Sequence, residues 1–360
     1  MPKFGVILDG YPALSDPIGA PHRPAESLEV ARLSGGLIND TFSLGESYVL
    51  QRLHPIFAAE VNLDIAAIVP RLRRAGVPVP DIVLARDGRP WVAVSSDQPE
   101  VAGVWRILTR IPGETLHRLT AASQARSAGR LVGQFHGALR DEDHTFAFTR
   151  PGAHDTPRHM AVLREALASH PGHRLAAQVA TVANELLERW AHHGGLPTLP
   201  KRLVHGDLKA SNLLFDSMGE AVGILDLDTM AHGTLDVELG DALRSWANPT
   251  TEDDPQPRLD TDLFLAAVEG YLDTTQEWIT PAELQSLSGG LECICLELSA
   301  RFAADALNER YFGWDPLKAT GRGEHNLIRA RNQLALARSV AAARPRLDAD
   351  LQGLSVRARG

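Results

Sequence analysis

Near the middle of this 360-residue chain, two apolar runs hold a short polar loop between them. Leu203-Val204 leads into His205-Gly206-Asp207-Leu208-Lys209-Ala210-Ser211-Asn212, and Leu213-Leu214-Phe215 closes the stretch. A few residues on, Val222-Gly223-Ile224-Leu225-Asp226-Leu227-Asp228 reads as a strand that carries two acids. Apolar anchors on both sides hold such a loop against a core and present its carboxylate in a set geometry. An isolated Asp-x-x-x-x-Asn arises often by chance. The whole string, with an acid-bearing strand behind it, does not.

Each polar residue has a chemical reading. Asp207 can accept or orient the proton of a substrate hydroxyl. His205 would brace the loop through its ring nitrogens, and Lys209 could touch either a phosphate or Asp207. Asn212 offers a neutral oxygen to a divalent cation at the offset found in kinase catalytic loops. Asp226 and Asp228 alternate with Leu225 and Leu227, and side chains two apart on a strand share a face. Two carboxylates on one face repel unless a cation neutralises them, and Mg²⁺ is the oxygen-loving candidate. Asp226 is the principal expected ligand, with Asp228 second or bound through water. A base, Mg²⁺ ligands and cations for phosphate are what phosphoryl transfer requires.

Composition excludes other classes. A net charge of -9 without a Lys/Arg run argues against nucleic acid and anionic membranes as partners. The two cysteines, Cys293 and Cys295, cannot build a disulfide framework and read as helix packing. No apolar run reaches the ~18 residues of a membrane span. The amino-terminal residues lack the apolar core of a signal peptide, so the expected location is the cytoplasm.

The first third of the chain is rich in strand signals. Strands are expected over 27–33, 41–44, 48–53 and 103–111. A hairpin is expected where Ile82–Ala85 and Trp91–Val94 flank Asp87-Gly88. A helix is expected over 56–75, kinked or split at Pro70. Residues 1–26 read as a lead-in packed on the body. After Pro112-Gly113 the texture turns helical, with helices over 121–139, 160–168, 174–193, 263–272, 281–306 and 326–342. Glu238 and Asp241 open one more, where they either favour the helix dipole or brace the catalytic loop. The expected fold is therefore α+β and bilobal: a β-rich nucleotide-binding lobe over residues 1–112 and a helical lobe over 113–360, with a cleft between them.

Lysine occurs only at positions 3, 201, 209 and 318. A kinase usually grips the α- and β-phosphates with a third-strand lysine. If the first lobe binds ATP, arginine must replace it. Arg52 is the natural candidate, with Glu60 as its ion-pair partner, unless Gln51 faces inward instead. Gly35-Gly36, before Asn39-Asp40, could arch over phosphates with backbone N–H groups or form a plain hairpin.

The His-Gly-Asp-x-x-x-x-Asn string with its downstream Leu-Asp resembles the aminoglycoside phosphotransferase and choline kinase superfamily, whose fold is protein-kinase-like. Gly36–Phe42, Tyr48–Arg52, Leu225–Met230, Leu239–Arg244, Arg301–Asp305 with Tyr311-Phe312, and His325–Gln333 are similar to the N-acetylhexosamine 1-kinase group within it. The resemblance implies Asp207 as base, Asn212 and Asp226 on Mg²⁺, and an adenine contact at the backbone of Thr109, Arg110 and Ile111. It implies that Arg301 and Tyr311 reach an acceptor sugar. Glu238 departs from the superfamily, which generally has Asp there, by one methylene. The expected activity is transfer of the γ-phosphate of ATP, with Mg²⁺, to a hexose or N-acetylhexosamine at its anomeric hydroxyl. Two alternatives stand beside it. One is an aminoglycoside or choline-like amino-alcohol kinase, whose cationic acceptor would use acids such as Glu252-Asp253-Asp254, Glu297 and Asp305. The other is a kinase-fold binding protein without catalysis.

Overall fold

The computed structural model describes residues 4–16, 20–33 and 39–357. Backbone contacts divide it into two units. The first comprises Met1–Gly113, Asp141–Thr149 and Val222–Asp228; the second comprises Glu114–Arg140, Arg150–Ala221 and Thr229–Gly360. The class is a small β-sheet lobe and a larger helical part.

The first unit is built on one antiparallel sheet. Its strands are β1 (Val30–Arg32), β2 (Asp40–Leu44), β3 (Tyr48–Arg52), β4 (Ile82–Val83), β5 (Val92–Val94) and β6 (Gly103–Thr109). The order is β1-β2-β3-β6-β4, with β5 also on β6. The Asp87-Gly88 signal does make a turn, closed by the Ala85 N–H to Arg89 O at 2.8 Å. It does not make the expected hairpin. Ile82 pairs with Leu108 and Val92 with Trp105, so β4 and β5 both lie on β6 and not on each other. The lead-in packs as expected: Ile7, Leu8, Tyr11 and Leu14 are buried with Leu44, Leu50, Trp105 and Ile107.

Helix α1 (Val61–Arg74) starts five residues later than expected and runs through Pro70 without splitting. Val69 and Leu72, on either side of that proline, are fully buried. Asp64 in its first turn accepts the N–H groups of Ala147 and Phe148 at 2.8 and 3.0 Å and faces His144 Nε2 at 2.8 Å. One buried carboxylate thereby ties residues 141–149 to the small lobe.

The second unit contains α2 (Ala122–Leu139), α3 (Thr156–Ser169), α4 (Ala176–His193), α5 (Leu235–Trp246), α6 (Thr261–Thr275), α7 (Leu287–Asn308) and α8 (Arg322–Arg357). The helix expected over 281–306 breaks at Ser286, after a one-turn helix with a Thr280/Glu283 capping box. Helix α8 was expected to stop at Ala342, short of Pro345, but continues past it. An interior proline costs about 3 kcal/mol. Leu347 and Leu351 beyond it are fully buried, and each such burial returns about 1.5–3 kcal/mol, so packing outweighs the break.

Helices α5 and α7 meet through glycine. A Cβ on Gly290 would lie 2.0 Å from Asp236 O, and one on Gly240 would lie 2.7 Å from the Gly290 backbone. Backbone-to-backbone contact at this point sets the height of the α5 amino end, which carries Glu238. Gly290→Ala should therefore overpack the contact and cost about 1–3 kcal/mol. The check is thermal melting; an unchanged midpoint would show that the two helices can part without loss.

Candidate active site

The catalytic loop lies wholly in the second unit. Short strands β7 (Arg202–Val204) and β8 (Leu213–Phe215) bracket it, and all of their residues but Arg202 are buried. β7 pairs with Ala231–Gly233, and β8 pairs with Glu114–Thr115. Between them, Gly206 adopts φ +81°, and a Cβ there would stand 2.4 Å from Thr229 O. Only glycine passes that point without displacing the backbone.

Glu238 holds the loop from behind. Its Oε1 accepts the His205 N–H at 2.8 Å and its Oε2 the Gly206 N–H at 2.9 Å. His136 Nε2 lies 3.3 Å from Oε1. Of the two readings left open for Glu238, the brace is what the geometry contains. Burial would raise its carboxyl, but His136 and the loop N–H groups hold it below the usual range. His205 is fully buried, with its carbonyl bound to Thr229 Oγ1 at 2.9 Å and Nδ1 facing the Asp207 N–H at 3.3 Å.

Asp207 sits at the front. Lys209 Nζ lies 2.6 Å from Oδ2, and Asn212 Nδ2 donates to Oδ2 at 3.0 Å and to Asp207 O at 2.8 Å. That orientation spends the amide nitrogen of Asn212 on Asp207 and keeps its oxygen for another partner, the donor a divalent cation needs. Burial raises the Asp207 carboxyl, but the Lys209 ammonium outweighs it, with His205 and Arg244 adding, so the group is held below the usual carboxylate range.

The acid-bearing segment belongs to the first unit, and there one expectation is corrected. The strand ends at Ile224, and Leu227–Thr229 is a 3₁₀ turn, so Asp226 and Asp228 do not share a strand face. Asp226 sits between them at φ 61°, partly buried. Asp228 is buried and engaged on both oxygens. Arg106 Nη1 donates to Oδ1 at 2.5 Å, Arg106 Nη2 to Oδ2 at 2.9 Å, and Asn39 Nδ2 to Oδ2 at 2.8 Å. Both oxygens are thus engaged by the lobe's own donors, which disfavours the expected role of Asp228 as second metal ligand.

Arg52 is also placed otherwise. It pairs with Asp40 and donates to Pro99 O at 2.5 Å; its guanidinium lies 5.8 Å from the Trp105 ring. Its partner is thus Asp40 across the strand pair, not Glu60, which is exposed just before α1. Gly35 and Gly36 lie outside the described residues. At the end of β6, the Arg110 N–H is taken by Ser47 O and the Thr109 N–H by Asp81 O, both at 2.8 Å.

On the helical side, Arg301 lies 3.6 Å from Glu297 and 5.7 Å from the Phe312 ring. Tyr311 is 53% exposed and its hydroxyl accepts from Arg150 at 3.2 Å. The loop carrying Tyr311 hangs on Asp305, which accepts the N–H groups of Arg310, Tyr311 and Phe312, each at 2.9 Å. Glu297 is fully buried and accepts from Thr156 at 2.7 Å, with His154 at 3.1 Å. Burial favours a neutral His154 ring, but Glu297 outweighs it and lifts the imidazole to about 9, so it is charged at neutral pH.

Sequence reasoning missed Arg106, Asn62, His154 and Arg244. The signal for Arg106 was present: one cation in the otherwise apolar strand Val104-Trp105-Arg106-Ile107-Leu108.

A small antiparallel lobe, a helical body and a loop carboxylate braced by a buried acid define a phosphotransferase of protein-kinase-like fold. Residues 29–276 match the family model described as the phosphotransferase enzyme family, APH, and the protein belongs to that family. Its members phosphorylate hydroxyl groups of small molecules. Among solved structures, an aminopropanol kinase associated with a microcompartment is 20% identical, with TM-score 0.59, covering 89% of this chain and 94% of its own. Amicoumacin kinase hAmiN, in complex with AMP-PNP, Ca²⁺ and Ami, is 16% identical, with TM-score 0.58, over 85% and 87%. A choline/ethanolamine kinase family protein from Mesorhizobium loti is 18% identical, with TM-score 0.52, over 92% and 93%. No helix among the described residues is long and apolar enough to cross a membrane.

Two tests follow from the loop. Lys209 depresses Asp207, so Lys209→Met should move the acidic limb of the kcat/KM–pH profile upward, activity being lost earlier on acidification. An unmoved limb would show that Lys209 does not set the charge of Asp207. Glu238→Gln turns one acceptor into a donor facing a buried N–H. Loss of loop geometry should lower kcat by up to about 100-fold with a smaller change in KM. A drop in melting temperature with kcat intact would confine Glu238 to stability.

Proposed function

We propose that the protein transfers the γ-phosphate of ATP to a hydroxyl of a neutral sugar, a hexose or N-acetylhexosamine at its anomeric position. The observation that carries this reading is the state of the acids on the helical side. A cationic amine acceptor needs carboxylates to spare. Glu252 is bound to Arg244 at 3.0 Å, and Asp253 faces His325 at 2.7 Å and Arg329 at 3.4 Å. Glu297 is shared by His154, Thr156 and Arg301, and Asp305 is filled by backbone N–H groups and Asn326. Of the five acids named for a cationic acceptor, Asp254 alone is given no cation or set of amide donors among the described residues; its carboxylate accepts the Gln256 N–H at 2.8 Å. A charged His154 and Arg301 add repulsion for an amine. The strings similar to the N-acetylhexosamine 1-kinase group, with Arg301 and Tyr311 as acceptor contacts, support the same reading.

In this mechanism Asp207 orients the acceptor hydroxyl and takes its proton as the oxygen attacks in line. Its low pKa keeps it ionised for that task. Phosphoryl transfer through a loose transition state asks for positioning more than for a strong base, and Glu238 supplies it by fixing the loop backbone. Asn212 and Asp226 would hold Mg²⁺, which would supply neutralisation of phosphate charge. Asp226 is the single carboxylate of that set, in keeping with a metal carried largely by its nucleotide. Ile111 would receive adenine.

A second reading is an amino-alcohol or aminoglycoside kinase. The names of the solved relatives favour it, since they include aminopropanol and choline/ethanolamine kinases. ADP release across hexoses, N-acetylhexosamines, choline, aminopropanol and aminoglycosides separates the two. The expected outcome is turnover with a hexose-type sugar, an anomeric phosphate by phosphorus NMR, and loss of turnover in Asp207→Asn. Preference for any amine acceptor would overturn the sugar assignment.

A further inference from the structure

The chain has no lysine on β3, and the structure contains a different cation beside that strand. Arg106 on β6 stands opposite Gln51 on β3 in the sheet register. Its guanidinium is 2% exposed and Asp228 is fully buried. Arginine has five N–H donors. Here Nε and Nη2 donate to Gln51 Oε1 at 3.0 and 2.7 Å. Nη1 donates to Asn62 Oδ1 at 3.1 Å and Asp228 Oδ1 at 2.5 Å, and Nη2 also donates to Asp228 Oδ2 at 2.9 Å. All five donors are spent inside the small lobe. The acceptors are held in turn. Gln51 Nε2 is bound to Thr41 at 3.2 Å, and Asn62 Nδ2 to Ala59 O at 2.9 Å. Asn39, which also receives the His54 N–H at 2.9 Å, closes the second oxygen of Asp228.

We infer that Arg106 is a positioning residue for the Asp226–Asp228 turn, with Asp228 as its counter-ion, and that neither of the two contacts nucleotide phosphate or metal. The cation that a kinase usually places on its third strand has been moved to the neighbouring strand and given another task. A saturated guanidinium has no hydrogen left for phosphate, and a carboxylate with three donors on two oxygens is a poor metal ligand. What the pair does is pin Asp228 to the sheet two residues after Asp226, and so hold the left-handed backbone turn from which the Asp226 carboxylate projects. Asn39, Gln51 and Asn62 bring three further segments of the lobe onto the same group.

The inference rests on the nucleotide and Mg²⁺ reading above, and the experiment separates the two. Wild type, Arg106→Lys, Asp228→Asn, the neutral pair Arg106→Gln/Asp228→Asn and Asp226→Asn are compared by ADP titration with and without Mg²⁺ and by melting. If wild type binds no ADP in either condition, the functional reading fails. If it binds, Arg106→Lys and Asp228→Asn should raise the half-saturating Mg²⁺ concentration by about 10- to 100-fold, the range for residues that orient a metal ligand. Metal-free ADP affinity should stay within about twofold of wild type in the same variants, because no phosphate contact is lost. The neutral pair should melt above Asp228→Asn, which leaves the guanidinium without its counter-ion. A loss of metal-free ADP affinity in Arg106→Lys would make Arg106 a phosphate ligand and overturn the inference. Loss of Mg²⁺ response in Asp228→Asn as complete as in Asp226→Asn would make Asp228 a ligand. Lower melting with an unmoved Mg²⁺ requirement would reduce the pair to a structural contact.

Discussion

Two backbone N–H groups, those of His205 and Gly206, end on one buried carboxylate, and the position of the catalytic loop depends on that contact. Hydrogen bonds to a charged acceptor are worth about 1.5–3 kcal/mol each, and an unmet buried donor costs a similar amount. The loop therefore has one low-energy seat. Glu238 is in turn located by the glycine contact of α5 with α7. The glutamate's reach is used in full: its two oxygens meet successive N–H groups and still face His136. Asp207 stands at the end of this chain of constraints, with Lys209 and Asn212 on its carboxylate.

The same economy runs through the helical unit. Most of its buried acids are committed inward, to arginines, to histidines, among them the charged His154, or to rows of backbone amides. Asp305 spends both oxygens on the turn that carries Tyr311. Glu297 keeps His154 charged. Because a buried carboxylate stripped of its partner costs several kcal/mol, these acids cannot be borrowed by an incoming ammonium group without dismantling the wall that holds them.

What could be read in advance was local along the chain. The polar loop, its apolar flanks, most helices and the strand-rich first third all depend on residues within a few positions of each other. What escaped depended on register. Asp87-Gly88 promises a hairpin, but the two short strands found a better partner in β6, which the turn cannot reveal. Asp226 and Asp228 alternate with leucines as a strand would, yet the chain turns at Asp226 because Arg106, far off in sequence, captures Asp228. Pro70 and Pro345 read as breaks, and burial of neighbouring apolar side chains carries the helix across each of them. Arg52 sits on the strand where a kinase usually has its lysine, but Asp40, opposite it in the ladder, holds its guanidinium.

The scarcity of lysine in this chain invites a compositional explanation, and at most positions none better is needed. At position 106 the geometry asks for more. Gln51, Asn62 and Asp228 present acceptors that are oriented by their own neighbours and receive five hydrogen bonds from one group. An ammonium has three donors and no plane, so a lysine there would leave acceptors unmet in a site closed to water. Breaking a buried pair of this kind by removing one partner costs about 3–5 kcal/mol, enough to keep the turn in one conformation. A flexible point charge suits a residue that must follow a phosphate through a reaction. A planar fork with every hydrogen assigned suits one that must not move, and the small lobe has put the fork where the Asp226–Asp228 turn is fastened.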